Sequence, residues 1–503
     1  MAEKTTMIVE KDFRIAKIDD RLYGSFIEHL GRAVYTGIYQ PGHPAADEDG
    51  FRKDVLELVK ELNVPIIRYP GGNYVSNFFW EDSVGPKEER KKRLDLAWRT
   101  LEPNEVGIQE FQKWAKKADS SVMMPVNLGT RGVSDALNLL EYCNLDTDTY
   151  YANLRRKHGD EKPYGIKTWC LGNEMDGPWQ TGHKEAKEYG RLAAETAKAM
   201  KLMDSSLEFV VCGSSYEGMP TFGTWEEQVL DECFDYVDYV SLHQYWGNEK
   251  NDTADFFAVS DDLENFIHTV ISICDFVQAK KRSKKKIHLS FDEWNVWYHT
   301  RTQDDQDMAN MPWRSHPHLL EDIYTYEDAI VDGLALIKFI QNSDRVKIAC
   351  LAQLVNVIAP IMTEEDGPAW RQTIFYPFYH ASKYGRGYAL QPVIHTGTHE
   401  TSGHGAVTDV DAVAVYNEEK DQVAVFAVNR NTVETVDFEI ALRGFEGYQV
   451  QTYEALEGSD MKAVNSAAGE TVKPIQRGDY QMEGARLTTT LKPASWNVIV
   501  LGK

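Results

Sequence analysis

Eight short, nearly continuous apolar runs, each ending in polar side chains, constrain this chain more than any other feature. In order they are LYGSFIEH from Leu22, VPIIRYPGG from Val64, VMMPVNLGT from Val122, IKTWCLGNE from Ile166, EFVVCGSS from Glu208, YVSLHQYW from Tyr239, IHLSFDEW from Ile287 and IACLAQLVN from Ile348. An unbroken apolar run suits a parallel strand covered on both faces. Amphipathic segments fall between the runs. FRKDVLELVKELN from Phe51 stops before Pro65, EVGIQEFQKWAKKA starts at Glu105, and HKEAKEYGRLAAETAKAMKLM starts at His183 with an Ala/Leu/Met stripe opposite a charged face. Eight strands alternating with helices predict an α/β chain built on a (β/α)8 barrel over residues 19–384.

The texture changes near residue 385. VDAVAVYNEEKDQVAVFAVNR reads as two alternating strands around a polar turn, and VETVDFEIALRGF, YQVQTYEAL and ARLTTTLKPASWNVIVLGK continue the period of two. Residues 385–503 are therefore expected to form an antiparallel, jelly-roll-like β-sandwich, joined by a strand from residues 1–18. The basic KRSKKK run at Lys281 to Lys286 lies between a helical segment and the seventh run, where a solvated connection is expected.

A barrel carries its active site at the C-terminal ends of its strands. Those ends here are Glu28 and His29, Arg68, Asn127, Asn173 and Glu174, Ser214, His243 and Tyr245, Asp292 and Glu293, and Gln353 and Asn356. The fourth and seventh runs lie nearly opposite one another around a ring of eight, and each delivers a glutamate: Glu174 after WCLGN and Glu293 after LSFD. Two facing carboxyls are what glycosidic hydrolysis requires, one to protonate the leaving oxygen and one to attack the anomeric carbon or activate water. Arg68 is placed to keep a neighbouring carboxylate charged, Tyr245 to orient the nucleophile, and Asn173 to donate to a sugar 2-hydroxyl. Trp98, Trp179, Trp246, Trp294 and Trp297 are expected at the same mouth, where they suit the apolar faces of sugar rings; His243 and His29 read as hydrogen-bonded scaffold.

Several classes are excluded. A formal charge of −24 and a pI near 5.1 repel phosphate backbones, so no nucleic-acid partner is expected. The start MAEKTTMIVEKDFRIAK has no apolar signal core and no run of apolar residues is long enough to span a bilayer, so a cytoplasmic protein without a membrane partner is expected. The six cysteines form no CxxC pair and the histidines no HxxxH set; neither a catalytic metal nor any cofactor is predicted.

YGSFIEHLGRAVYTGIY, IIRYPGGN, NLGTRG, KTWCLGNEMDGPWQ, YVSLHQY, LSFDEWNVWY and CLAQLVNVIAPI, spread from Tyr23 to about residue 361, closely resemble the family 51 glycoside hydrolases, in particular their intracellular exo-acting α-L-arabinofuranosidases. The resemblance implies a retaining enzyme with Glu174 as general acid/base and Glu293 as nucleophile. It implies furanose-hydroxyl ligands at Glu28, Asn73, Asn173, Tyr245 and Gln353, and site walls at Trp98 and Trp297. It further implies release of terminal non-reducing arabinofuranosyl residues from arabinan or arabinoxylan oligosaccharides, and a homo-oligomer, commonly a hexamer. An endo-β-glucanase or β-xylosidase on the same barrel is the alternative. Two departures, Asn77-Phe78-Phe79 in place of a Gly-Tyr-Asn and Trp246 in place of a tyrosine, are expected near the site rim, where they bear on linkage and aglycone.

Overall fold

The computed structural model describes residues 4–458 and 460–503; residues 1–3 of the expected N-terminal strand segment lie outside the described ones. All eight runs are parallel strands of one closed barrel. The strands are Gly24–Phe26, Ile66–Arg68, Ser121–Val126, Thr168–Leu171, Glu208–Cys212, Tyr239–Trp246, His288–Val296 and Val346–Ala352. The lumen is filled by Phe26, Ile66, Met123, Cys170, Val210, Tyr239, Ile348 and Cys350, so the barrel is a packed core with a usable mouth. All six cysteines are buried and unpaired, as small apolar residues.

The helices obey the pattern that announced them. Lys53–Leu62 buries Val55, Val59 and Leu62 on one face and ends at Asn63, left-handed at φ 53°, just before Val64-Pro65. Ala186–Met203 buries Tyr189, Ala193, Ala197 and Met200.

Lys4–Glu10 lies in a five-stranded sheet with Val393–His395, Val436–Arg443, Arg486–Leu491 and Gln481–Glu483. Its pairing with Val436–Arg443 is parallel, the one parallel contact in that sheet, whose other pairings are antiparallel. Arg14–Lys17 is the edge of a seven-stranded sheet that includes Val410–Asn417, Gln422–Asn429 and Ser495–Gly502. That larger sheet is buried on both faces. Ala414, Val425 and Ile499 point into the core between the two sheets, while Val413, Phe426, Trp496 and Val498 join the barrel core. Gly333, in the helix Tyr326–Gln341, makes the contact possible: a Cβ there would sit 2.6 Å from the Trp496 ring. The sandwich thus packs against the side of the barrel.

Candidate active site

The mouth is built from strand ends and the turns that follow them. After the fourth strand, Gly172 takes φ 85° and Glu174 φ 44°. A left-handed non-glycine backbone costs energy that the surrounding contacts must offset, and here it turns the Glu174 carboxyl into the mouth. On the seventh strand, pairing with the sixth shifts register between Ser241 and His243. An irregularity of this kind re-aims side chains. It lets the consecutive Asp292 and Glu293 both face His243, whose Nε2 is 3.1 Å from Asp292 and whose Nδ1 is 3.5 Å from Glu293.

Glu174 and Glu293 face each other with carboxyl oxygens within 4.8 Å. One Glu174 oxygen meets His243 Nδ1 at 2.9 Å, and the other accepts from Trp179 Nε1 at 2.7 Å. Glu293 accepts from Arg68 Nη1 at 2.7 Å on one oxygen and from the Tyr245 hydroxyl at 2.9 Å on the other. Arg68 also donates to Asn173 Oδ1 at 2.6 Å, and Asn173 Nδ2 donates to Asn73 Oδ1 at 3.0 Å. Gln180 donates to the same Asn73 oxygen at 2.9 Å.

Glu28 forms the other side. It accepts from the Tyr74 amide at 2.8 Å and from Trp98 Nε1 at 3.0 Å, while its own amide donates to Gln353 Oε1 at 2.8 Å. Two glycines of the PGGN turn separate the carboxylates. A Cβ on Gly71 would lie 2.8 Å from Glu28 Cγ, and one on Gly72 would lie 2.8 Å from Glu293 Oε1. Trp297 stands edge-on to Tyr245, ring centres 5.4 Å apart.

The charges sort themselves. Burial, reinforced by the charge of Glu293, pushes the Glu174 carboxyl up against the opposing pull of His243. Burial alone would lower His243, but Glu293, Asp292 and Glu174 together raise it to about 10. Asp292 is held below the ordinary range because Arg68 and His243 outweigh its burial. Burial raises Glu28 to about 8. Arg68 and His243 thus set two cations among the carboxyls of Asp292, Glu293 and Glu174.

Glu174, His243 and Glu293 are the one group among the described residues whose ligating atoms lie close enough to share a metal ion. The donor set does not fit one well. Both His243 nitrogens already face carboxylates, and Arg68 already places a cation on Glu293.

Every residue singled out as a ligand, wall or support thus lies in or against this mouth, with three corrections. Trp294 is fully buried and packs edge-on against Phe339, because strand alternation points it away from the lumen. Trp246 is 5% exposed and belongs to the core. Phe78 is 7% exposed and packs on Tyr74, so it stands behind the rim, while Asn77 and Phe79 are partly exposed and the Phe79 ring meets the guanidinium groups of Arg93 and Arg131. Of the other strand ends, Asn127 ties the turn at Gly129 and Thr130, Asn356 ties Thr363, and His29 bridges Glu102 and Tyr69. Sequence reasoning missed Gln180 and the pairing of Asp292 with His243; only the proximity of Gln180 to Glu174 in GNEMDGPWQ hinted at the first.

A barrel with paired glutamates across its mouth has the build of a glycoside hydrolase. The α-L-arabinofuranosidase 1 domain family matches residues 58–278, and the α-L-arabinofuranosidase C-terminal domain family matches residues 292–495. The chain is 62% identical to the intracellular exo-α-(1→5)-L-arabinofuranosidase of Acetivibrio thermocellus over 100% of both chains. It is 57% identical to the intracellular exo-α-(1→5)-L-arabinofuranosidase 1 of Bacillus subtilis, over 100% of this chain and 99% of that one. The solved structure of a family 51 α-L-arabinofuranosidase from Bifidobacterium longum superposes with a TM-score of 0.95 at 45% identity, over 99% of this chain and 100% of that one. The chain belongs to the family 51 α-L-arabinofuranosidases.

Proposed function

We propose that the protein releases terminal non-reducing α-L-arabinofuranosyl residues from short arabinan or arabinoxylan oligosaccharides by double displacement, with Glu174 as acid/base and Glu293 as nucleophile. The observation that carries this is that Glu174 and Glu293 bring one carboxyl oxygen each within 4.8 Å across the mouth, a close approach that suits direct attack on a shared anomeric carbon. In the first step the Glu293 carboxylate attacks the anomeric carbon as the glycosidic C–O bond breaks, and Glu174 gives its proton to the departing oxygen. In the second, Glu174 takes a proton from water, which attacks the same carbon and frees Glu293. Arg68 and Tyr245 hold Glu293 in place. Once Glu293 is esterified its charge is gone, so the push on Glu174 weakens and the same group serves as base.

Glu28, Asn73 and Gln353 lie beside the carboxylate pair; the relatives named above carry exo and (1→5) in their names, and we extend both to this chain. An endo-β-glucanase or β-xylosidase is not favoured by those relatives. Trp98 and Trp297 serve as walls to the furanose, with Asn173 and Tyr245 as further ligands. We assign residues 19–384 as the catalytic unit, and residues 1–18 with 385–503 as its buttress. A cytoplasmic setting accords with the intracellular relatives, and no helix among the described residues is long and apolar enough to cross a membrane. A homo-oligomer, with the hexamer implied by resemblance, completes the proposal; light scattering on a sizing column checks it. Turnover of p-nitrophenyl α-L-arabinofuranoside tests the activity, and an inactive wild-type protein would remove it.

A further inference from the structure

Trp179 touches the proposed acid yet has no part in the double displacement. It lies between the fourth strand and the helix Ala186–Met203. The same turn carries Glu174, whose carbonyl accepts from the Gly177 amide at 2.9 Å. Trp179 Nε1 donates to Glu174 Oε2 at 2.7 Å, and His243 Nδ1 meets Oε1 at 2.9 Å. An indole N–H donates and never accepts. With a donor on each oxygen, the carboxyl is held as an acceptor, which suits its ionised form. General acid catalysis needs the reverse, an oxygen that carries a proton and points it at the leaving group. Oε1 is taken by His243, so Oε2 is the oxygen left for that proton, and the indole sits on it.

Little else fixes the indole. Trp179 is 49% exposed and lies outside the barrel core. It rests on the bare backbone of Gly177, where a Cβ would sit 2.5 Å from indole Cε2 and 3.0 Å from Nε1. Exposed side chains change rotamer far faster than an enzyme turns over, so this one can leave without disturbing the fold. Its departure also has the right electrostatic sign. Burial is the largest influence on Glu174 and pushes its pKa up, whereas the bonds from His243 and Trp179 pull it down. Losing the indole bond favours the protonated carboxyl when the leaving oxygen needs it.

We propose that Trp179 is a positioning residue that caps Glu174 Oε2 in the empty mouth and yields that oxygen to the glycosidic oxygen when the aglycone binds. The exchange moves a proton from solvent onto Glu174 and breaks no covalent bond. It rests on the reading of Glu174 as general acid. The test is the pH dependence of hydrolysis of a (1→5)-linked arabinofuranobiose, whose poor leaving group keeps the first step slow. The alkaline limb of kcat/KM reports the free enzyme and that of kcat the complex. In the wild type the kcat/KM limb should lie at lower pH than the kcat limb. Trp179→Phe keeps a ring and removes the N–H, and Gly177→Ala keeps the indole and pushes it off Glu174. Both should move the kcat/KM limb up by about half a pH unit or more and leave the kcat limb where it is. A kcat/KM limb that stays in place in both variants, or a kcat limb that moves with it, overturns the proposal. Glu174→Gln on p-nitrophenyl α-L-arabinofuranoside is the control. Its residual kcat/KM should lack the alkaline limb, and a limb that persists there sinks the assignment of Glu174 instead of the role of Trp179.

Discussion

Two arginines occupy the two ends of one barrel and teach opposite lessons. Arg21, at the closed end, is satisfied on every side: it donates to Asp19, to Glu208 at 2.5 Å, to Thr168 and to the Tyr239 hydroxyl at 3.0 Å. Arg68, at the mouth, is wholly buried, yet its Nε has no hydrogen-bond partner and its nearest approach to Asp292 is 3.9 Å. It spends its two good bonds on Glu293 and Asn173. The first arginine ties strands together. The second holds a charge in readiness for chemistry, and part of its own hydrogen-bonding capacity goes unused.

That contrast can be broken by mutation. Glu293→Ala removes the proposed nucleophile and should lower kcat by about 10^4-fold or more, read on p-nitrophenyl α-L-arabinofuranoside. Its melting temperature should fall as well, because buried Arg68 and the Tyr245 hydroxyl lose their acceptor. Arg68→Met should do both kinds of damage: a loss of roughly 10^2–10^3 in kcat, and about 3–5 kcal/mol of stability, since Asp292 and Glu293 stay behind without their cation. Denaturant titration alongside kinetics separates the two. Arg21→Met should cost about 2 kcal/mol at most, because water reaches part of the guanidinium, and leave kcat per folded molecule unchanged. A large kcat loss there would erase the distinction between the two ends.

The smallest effect sharpens the comparison by pH. Glu174 must be protonated to act as acid, so activity falls as pH rises through its raised pKa. His243 pulls that pKa down. His243→Gln should therefore move the alkaline limb of kcat/KM to higher pH, while Arg21→Met leaves it in place. A limb that stays put in His243→Gln would remove His243 as the group that sets it.

How much of this was legible beforehand depends on the range of the interaction. Strands buried on both faces must be apolar throughout, so all eight announced themselves, and helices with one buried face kept their period, as in Lys53–Leu62. The glutamates were legible because strand ends converge by geometry in any closed barrel. What stayed hidden depended on local irregularity or on loops. The register shift beside His243 lets neighbouring Asp292 and Glu293 serve one imidazole, which simple alternation forbids. Trp294 obeys that alternation and so leaves the mouth for the core. Gln180 reaches Asn73 from a turn 107 residues away in sequence, and no periodicity encodes such a meeting.

The central claim is that Glu293 bonds covalently to the sugar while Glu174 manages the proton. Glu174→Ala given an arabinofuranoside with a good leaving group, such as a dinitrophenolate, needs no acid for the first step but lacks the base for the second. Intact-protein mass spectrometry followed by peptide mapping should then find one pentosyl unit on Glu293. An adduct on any other side chain, or free sugar of inverted configuration with no adduct at all, would contradict the account.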